Sequence, residues 1–144
     1  QGAAYYDGVC FWTADKTKIV NYPKQHKENC TVKHQSAGNR FKPNIRVWKN
    51  MRNAMIDQRL LSDGTAPSYF VEGMLWNVPI ECFVSNFQDT LVNISGWLDR
   101  CNQTQLVCAN QRHYLLRDGH PVCWNISDYS TFRAAVRKFW ENSR

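Results

Sequence analysis

The sequence predicts a mainly α-helical α+β protein, a β-hairpin at the start followed by a four-helix bundle. Three observations carry this. Apolar residues recur at helical spacing in separate stretches that open on a proline or a capping residue. Strand-like runs are confined to the first 22 residues. And 144 residues, 43% hydrophobic and 21% charged, suit one globular domain with one core.

The first element is a hairpin over residues 9–22. Val9-Cys10-Phe11-Trp12-Thr13 and Lys18-Ile19-Val20-Asn21-Tyr22 flank the polar Ala14-Asp15-Lys16-Thr17, and Pro23 ends the second run. A lone two-stranded hairpin is marginal in water. It is therefore expected to belong to a larger sheet, with an apolar face open around Phe11, Trp12 or Val20. Residues 24–41 are polar and basic and read as a connecting stretch with one helical turn.

Pro43 suits the first turn of a helix over 42–61, whose Phe41, Ile45, Trp48, Met51 and Met55 form the inward stripe. Beside it run Lys42, Arg46, Lys49 and Asn53, which puts three cations on one flank. Pro67 opens a second helix over 67–77, stopped by Pro79. Ser85-Asn86 reads as the cap of a third over 86–101, with Phe87, Leu91, Ile94 and Leu98 on one face. Residues 102–126 are irregular, with a short hairpin near Asn110-Gln111 and a turn at Asp118-Gly119. Ser127 or Asp128 caps a fourth helix over 128–142, with Phe132, Val136, Phe139 and Trp140 inward.

Charge is uneven within a net of +6. Residues 16–59 hold eleven Lys or Arg against two acids, Glu28 and Asp57, while the remainder holds seven against ten. A basic segment interleaved with aromatics predicts an anionic partner such as nucleotide phosphates, nucleic acid or an anionic membrane surface. No apolar run approaches the ~18 residues of a membrane span, and the partners expected are nucleotides or nucleic acid, with no membrane. The chain starts Gln1-Gly2-Ala3-Ala4, without an initiator Met or a signal-peptide pattern, and is expected to be a piece of a longer protein.

Catalytic signatures are missing: acids are scattered singly, and no P-loop, G-x-G-x-x-G or G-x-S-x-G occurs. A zinc site of Cys101, Cys108, His113 and Cys123 can be drawn, but its spacing matches no strong pattern. The six cysteines contain no C-x-x-C pair and are expected to be reduced thiols of a cytoplasmic protein. Four N-x-S/T sequons, at Asn29, Asn93, Asn102 and Asn125, are the features that would favour a secreted structural domain instead.

Phosphate binding is the chemistry best supported by the residues. Lys42, Arg46 and Lys49 share a helix flank, and Ser68 stands at a helix start, where free N–H groups and the dipole favour an anion. If the helices carrying Lys49 and Ser68 pack antiparallel, the two side chains approach, with Tyr69 available to stack a base. The alternative is a surface lysine and a serine that merely caps its helix.

The order of several blocks adds to this. Asn21-Tyr22-Pro23-Lys24-Gln25-His26, then Arg40-Phe41-Lys42 with Arg46 and Lys49-Asn50-Met51-Arg52-Asn53, then Pro67-Ser68-Tyr69 with Glu72, resemble the bacterial nucleotidyltransferases of the cyclic GMP–AMP synthase and oligoadenylate synthetase group, within the polymerase-β-like superfamily. The resemblance covers residues ~5–100 and the C-terminal part of the catalytic core. It implies that residues 1–23 end a palm sheet and 24–144 form the helical lobe behind it. It implies an enzyme that joins nucleoside triphosphates into cyclic or linear oligonucleotide signals, commonly in antiphage defence. It assigns Lys49 and Ser68 to the donor triphosphate and Tyr69 to base stacking, in agreement with the basic flank, whose Lys42 and Arg46 are expected to bind the triphosphate too. The Mg2+-binding carboxylates of that group lie upstream of these blocks, so the N-terminal half of the same enzyme is the expected partner and this chain alone is expected to be inactive. A non-catalytic nucleotide- or RNA-binding module is the competing expectation.

Overall fold

The structure, a computed structural model, describes residues 8–12 and 18–143. Its elements are strands β1 (Val9–Trp12) and β2 (Lys18–Asn21), then helices α1 (Pro23–Ser36), α2 (Phe41–Asp57), α3 (Ser68–Trp76), α4 (Phe87–Arg100) and α5 (Ile126–Asn142). Single 3-10 turns stand at Ile80–Cys82 and Gln103–Gln105. The strands pair antiparallel, with Val9 opposite Asn21 and Trp12 opposite Lys18. The expectation of an open apolar face at Phe11 and Trp12 falls on side chains outside those described, while Val20 is half-buried.

The main departure from the sequence reading is α1. Residues 23–36 were expected to connect; they form a 14-residue helix, so the bundle has five helices among the described residues. The reason is physical. Its buried residues are Gln25, His26 and Cys30, so there is no apolar stripe for a periodicity argument to find. Packing supplies what the pattern lacks. Pro23 occupies the first turn, where its missing N–H costs nothing. Gly38, at φ +62°, closes the helix in a Schellman turn: its N–H donates to Gln35 O and that of Asn39 to His34 O.

Helix α2 is the central beam and packs on α1, α3 and α5. Phe41, Ile45, Trp48, Met51 and Met55 are all buried, as the stripe required. It ends at Asp57, not 61. Arg59 adopts φ +61°, and the N–H groups of Arg59 and Leu60 donate back to Ile56 O and Met55 O. This is the same turn as after α1, but built on a residue that gives no sequence signal for it. Helix α3 starts at Ser68 behind Pro67, without a side-chain cap.

Helix α4 starts at Phe87, where Asn86 Oδ1 accepts from Asp89 N at 3.0 Å. Replacing Asn86 by alanine leaves that N–H without its partner. We expect a loss of about 1 kcal/mol in urea unfolding; an unchanged midpoint would rule out a role for the cap. Leu91, Ile94 and Leu98 are buried, but Phe87, expected on the same face, is 51% exposed at the helix start. Helix α5 begins at Ile126, two residues before the expected range, because Asn125, not Ser127 or Asp128, caps it: its Oδ1 accepts from Ser127 N at 3.0 Å. Phe132 and Val136 are buried, Phe139 and Trp140 half-buried. Asp99 of α4 ties the two helices by accepting from Arg133 (2.7 Å) and Arg137 (3.3 Å).

Between α4 and α5 the chain forms no α-helix or strand, only the 3-10 turn at Gln103–Gln105 and the isolated bridges Val107–Tyr114 and Leu116–Trp124. It is nevertheless core: Leu106, Cys108, Ala109, Leu115 and Trp124 are buried. Gly73 of α3 permits this approach, since a Cβ there would meet Leu115 Cδ1 at 3.2 Å. All six cysteines are free.

Candidate functional site

Two rungs join α2 to α3. Lys49 Nζ donates to Glu72 Oε2, and Arg52 Nη1 donates to Ser68 Oγ at 3.0 Å and to Ala66 O at 2.9 Å. Advancing three residues on α2 means retreating four on α3, so the two helices are antiparallel. Lys49 and Ser68 thus stand on neighbouring rungs of one seam. Ser68 Oγ does not face Lys49 directly; it takes the Arg52 guanidinium, a residue that the residue-level reading passed over.

On one side of this seam, α1, α2 and α3 enclose a cleft of about 310 Å3. His26, Lys27 and Cys30 of α1, Lys42, Ile45, Arg46 and Lys49 of α2, and Glu72 of α3 line it. Four cations therefore face one carboxylate. The stripe predicted on α2 is real, and α1 adds Lys27, which could not be placed while that segment read as a connection. Ser68 and Tyr69 are not among the lining residues. Lys42 Nζ reaches Thr31 Oγ1 at 3.5 Å across the α1–α2 contact.

Tyr69 is half-buried and well tethered. Its hydroxyl donates to Asn21 Oδ1 (3.2 Å) and accepts from Asn110 Nδ2 (2.7 Å). One ring face carries the His26 imidazole, with centroids 4.4 Å apart and planes 19° from parallel, and Phe70 meets the ring edge-on at 5.5 Å. Burial first, then neighbouring thiols, push its phenol pKa upward, so the hydroxyl stays protonated as a donor at neutral pH. The face that His26 covers is therefore closed to a nucleobase.

Glu72 connects these parts. Its Oε1 accepts from His26 Nε2 at 2.7 Å while Oε2 takes Lys49. Burial raises the carboxyl pKa, but the hydrogen bonds and charges of His26 and Lys49 outweigh burial and bring it below its ordinary value. A depressed folded-state pKa contributes stability above the unfolded value, roughly pH 4.3, and that contribution is lost as pH falls through the folded value. Unfolding free energies of wild type and Glu72→Gln should therefore converge as pH drops below about 4. A gap that stays constant down to acid unfolding would refute this.

His26, Cys30 and Glu72 are also the three side chains among the described residues whose ligand atoms cluster, within 4.8 Å of one another. They do not fit the Mg2+ that the resemblance implies. Mg2+ takes hard oxygen ligands in octahedral geometry, and only Glu72 supplies any. Burial, foremost, pushes the Cys30 thiol up to about 12, and the surrounding cations oppose a further positive charge. The drawn zinc set is not assembled either: Cys101, Cys108, His113 and Cys123 form no such cluster. Cys123 Sγ instead meets His120 Nδ1 at 3.5 Å, and Cys108 Sγ points to the carbonyls of Tyr114 and Val122.

The chain is similar to known proteins over most of its length. Residues 28–141 match the cGAS/DncV-like nucleotidyltransferase C-terminal helical domain. The chain is 34% identical over 137 residues to the cyclic UMP-AMP synthase of Rhodothermus marinus, covering 94% of this chain and 47% of that protein. It is 33% identical over 141 residues to a cyclic nucleotide synthase of Staphylococcus haemolyticus, covering 94% and 46%. The R. marinus enzyme, solved with Apcpp and Upnpp, superposes with a TM-score of 0.87 over 94% of this chain and 46% of that one. The Elizabethkingia meningoseptica cyclic dinucleotide synthase, solved with GTP and Apcpp, superposes at 0.79 with 26% identity, over 92% of this chain and 49% of that one. The chain thus spans about half the length of the relatives it matches. It belongs to the cGAS/DncV-like nucleotidyltransferases, as their C-terminal helical domain.

Proposed function

We propose that this chain supplies the nucleotide-binding helical wall of a cyclic oligonucleotide synthase. One observation carries the reading: Lys27, Lys42, Arg46 and Lys49 face a single carboxylate in one cleft beside the start of α3. Such an excess of positive charge in a concave site attracts polyphosphate. In this reading Lys49, Ser68, Lys42 and Arg46 bind the donor triphosphate and Tyr69 stacks its base. The relatives solved with nucleoside triphosphates or their analogues support that substrate class. Catalytic carboxylates and Mg2+ would be contributed by the palm half of such a synthase, to which residues 1–23 would belong and on which residues 24–144 would pack. The chain on its own would then be inactive. The setting is antiphage signalling in the cytoplasm, where triphosphates are abundant and free thiols persist. No described helix is long and apolar enough to cross a membrane.

Calorimetric titration of the intact protein with a non-hydrolysable nucleoside triphosphate tests the reading. Arg46→Ala and Lys42→Ala should each weaken binding, and the salt dependence should become shallower. Wild-type affinity in both variants would exclude this cleft. An RNA-binding module fits less well, because the cations converge on one nucleotide-sized cleft.

A further inference from the structure

Glu72 stands where two separate recognition tasks meet, and the geometry says how it serves both. It lies one turn beyond Ser68 on α3, half-buried, and each of its carboxylate oxygens has a different partner. Oε2 accepts one of the three N–H donors of Lys49, which leaves two for a phosphate. Oε1 accepts from His26, so the imidazole must carry a proton on Nε2, since an ionised carboxylate can only accept. The other ring nitrogen, Nδ1, is buried without a hydrogen-bond partner. The His26 ring is therefore oriented by two contacts: the Glu72 carboxylate at its edge and the face of Tyr69 beneath it.

We propose that Glu72 is the positioning residue of the nucleotide site, tempering the charge of the Lys49 ammonium with one oxygen and, through His26, setting the Tyr69 ring with the other. This rests on the triphosphate and base roles proposed above for Lys49 and Tyr69. The two arms have opposite consequences for ligand binding. On the phosphate side, Glu72 neutralises part of the charge of Lys49, so its removal leaves polyphosphate binding unchanged or tighter. On the base side, Glu72 keeps His26 flat against one face of Tyr69, and in this proposal the base takes the opposite face. Its removal frees His26 to turn, and the stacking platform loosens. Glu72 thus works against affinity for bare phosphates and for affinity toward a nucleotide. In effect it makes the site select nucleoside triphosphates over inorganic polyphosphate.

The test compares a non-hydrolysable nucleoside triphosphate with inorganic tripolyphosphate, each titrated into the intact protein by calorimetry. Glu72→Ala should reduce the preference for the nucleotide about tenfold, the size of one base-stacking contact, without weakening tripolyphosphate. Glu72→Gln separates the arms. Its amide oxygen still accepts from His26, while its NH2 cannot accept from Lys49, so it should recover most of the preference. Nitrogen chemical shifts of the His26 ring should report a protonated Nε2 in wild type and Glu72→Gln and a changed ring in Glu72→Ala. Lys49→Ala should weaken both ligands by a similar factor and leave the preference intact. If Lys49→Ala alters neither ligand, the nucleotide reading itself fails. If Lys49→Ala behaves as expected but Glu72→Ala shifts both ligands equally, or Glu72→Gln gives no recovery, the positioning role of Glu72 is overturned.

Discussion

Trp124→Ala should cost about 3–5 kcal/mol of folding free energy in urea unfolding, the range for truncating a large buried aromatic. Trp124 is 1% exposed and sits at the centre of an aromatic cluster. Phe70 stacks on it at 5.8 Å and 10°, Tyr129 meets it edge-on at 5.3 Å, and Phe132 lies at 5.8 Å. Its indole N–H donates to Thr65 O at 2.9 Å, in the connection between α2 and α3. Truncation therefore opens a cavity between α3 and α5 and leaves a carbonyl without its donor. The damage should extend to the site, because Phe70, its stacking partner, is next to Tyr69. A loss below about 1 kcal/mol would mean that residues 102–125 do not pack as described.

The second large effect is on ligand binding. In the intact protein, Lys49→Ala should weaken a nucleoside triphosphate by about 1–3 kcal/mol, the cost of a charge-assisted hydrogen bond. The structure adds a reason that the sequence could not give. Without Lys49, Glu72 keeps a carboxylate aimed at the cleft with one partner fewer, and that charge repels phosphate. Pairing Lys49→Ala with Glu72→Gln should therefore recover part of the loss, a non-additivity that a double-mutant cycle measures. Ser68→Ala should cost less, since its hydroxyl already serves Arg52 and the N–H groups at the start of α3 remain. Additive losses for Lys49 and Glu72 would show that the pair does not act as a unit.

The parts of the molecule legible in the sequence were those written in local chemistry. The α2 stripe from Phe41 to Met55 buries every residue it named, because a 3.6-residue period maps directly onto one helix face. Pro67 and Asn86 marked the starts of α3 and α4 within a residue, because proline and asparagine act on the backbone beside them. The blocks around Lys49, Ser68 and Tyr69 identified the family for the same reason: short segments with fixed internal spacing survive as recognisable units.

What escaped the sequence depends on groups far apart in the chain. Helix α1 has no apolar stripe; it is held by tertiary partners such as Glu72 against His26 and Ala109 O against the Asn29 amide, 46 and 80 residues away. Asn110 belongs to a stretch without regular structure, and only the fold brings it to the Tyr69 hydroxyl 41 residues earlier. Glu72 read as one of several scattered acids until α1 and α2 were placed on either side of it. The sequence by itself determined helices α2 to α5 and the basic flank of α2. The tertiary structure alone decided which carboxylate would hold that flank, because hydrogen bonds and ion pairs act within a few ångströms in space and have no period along the chain.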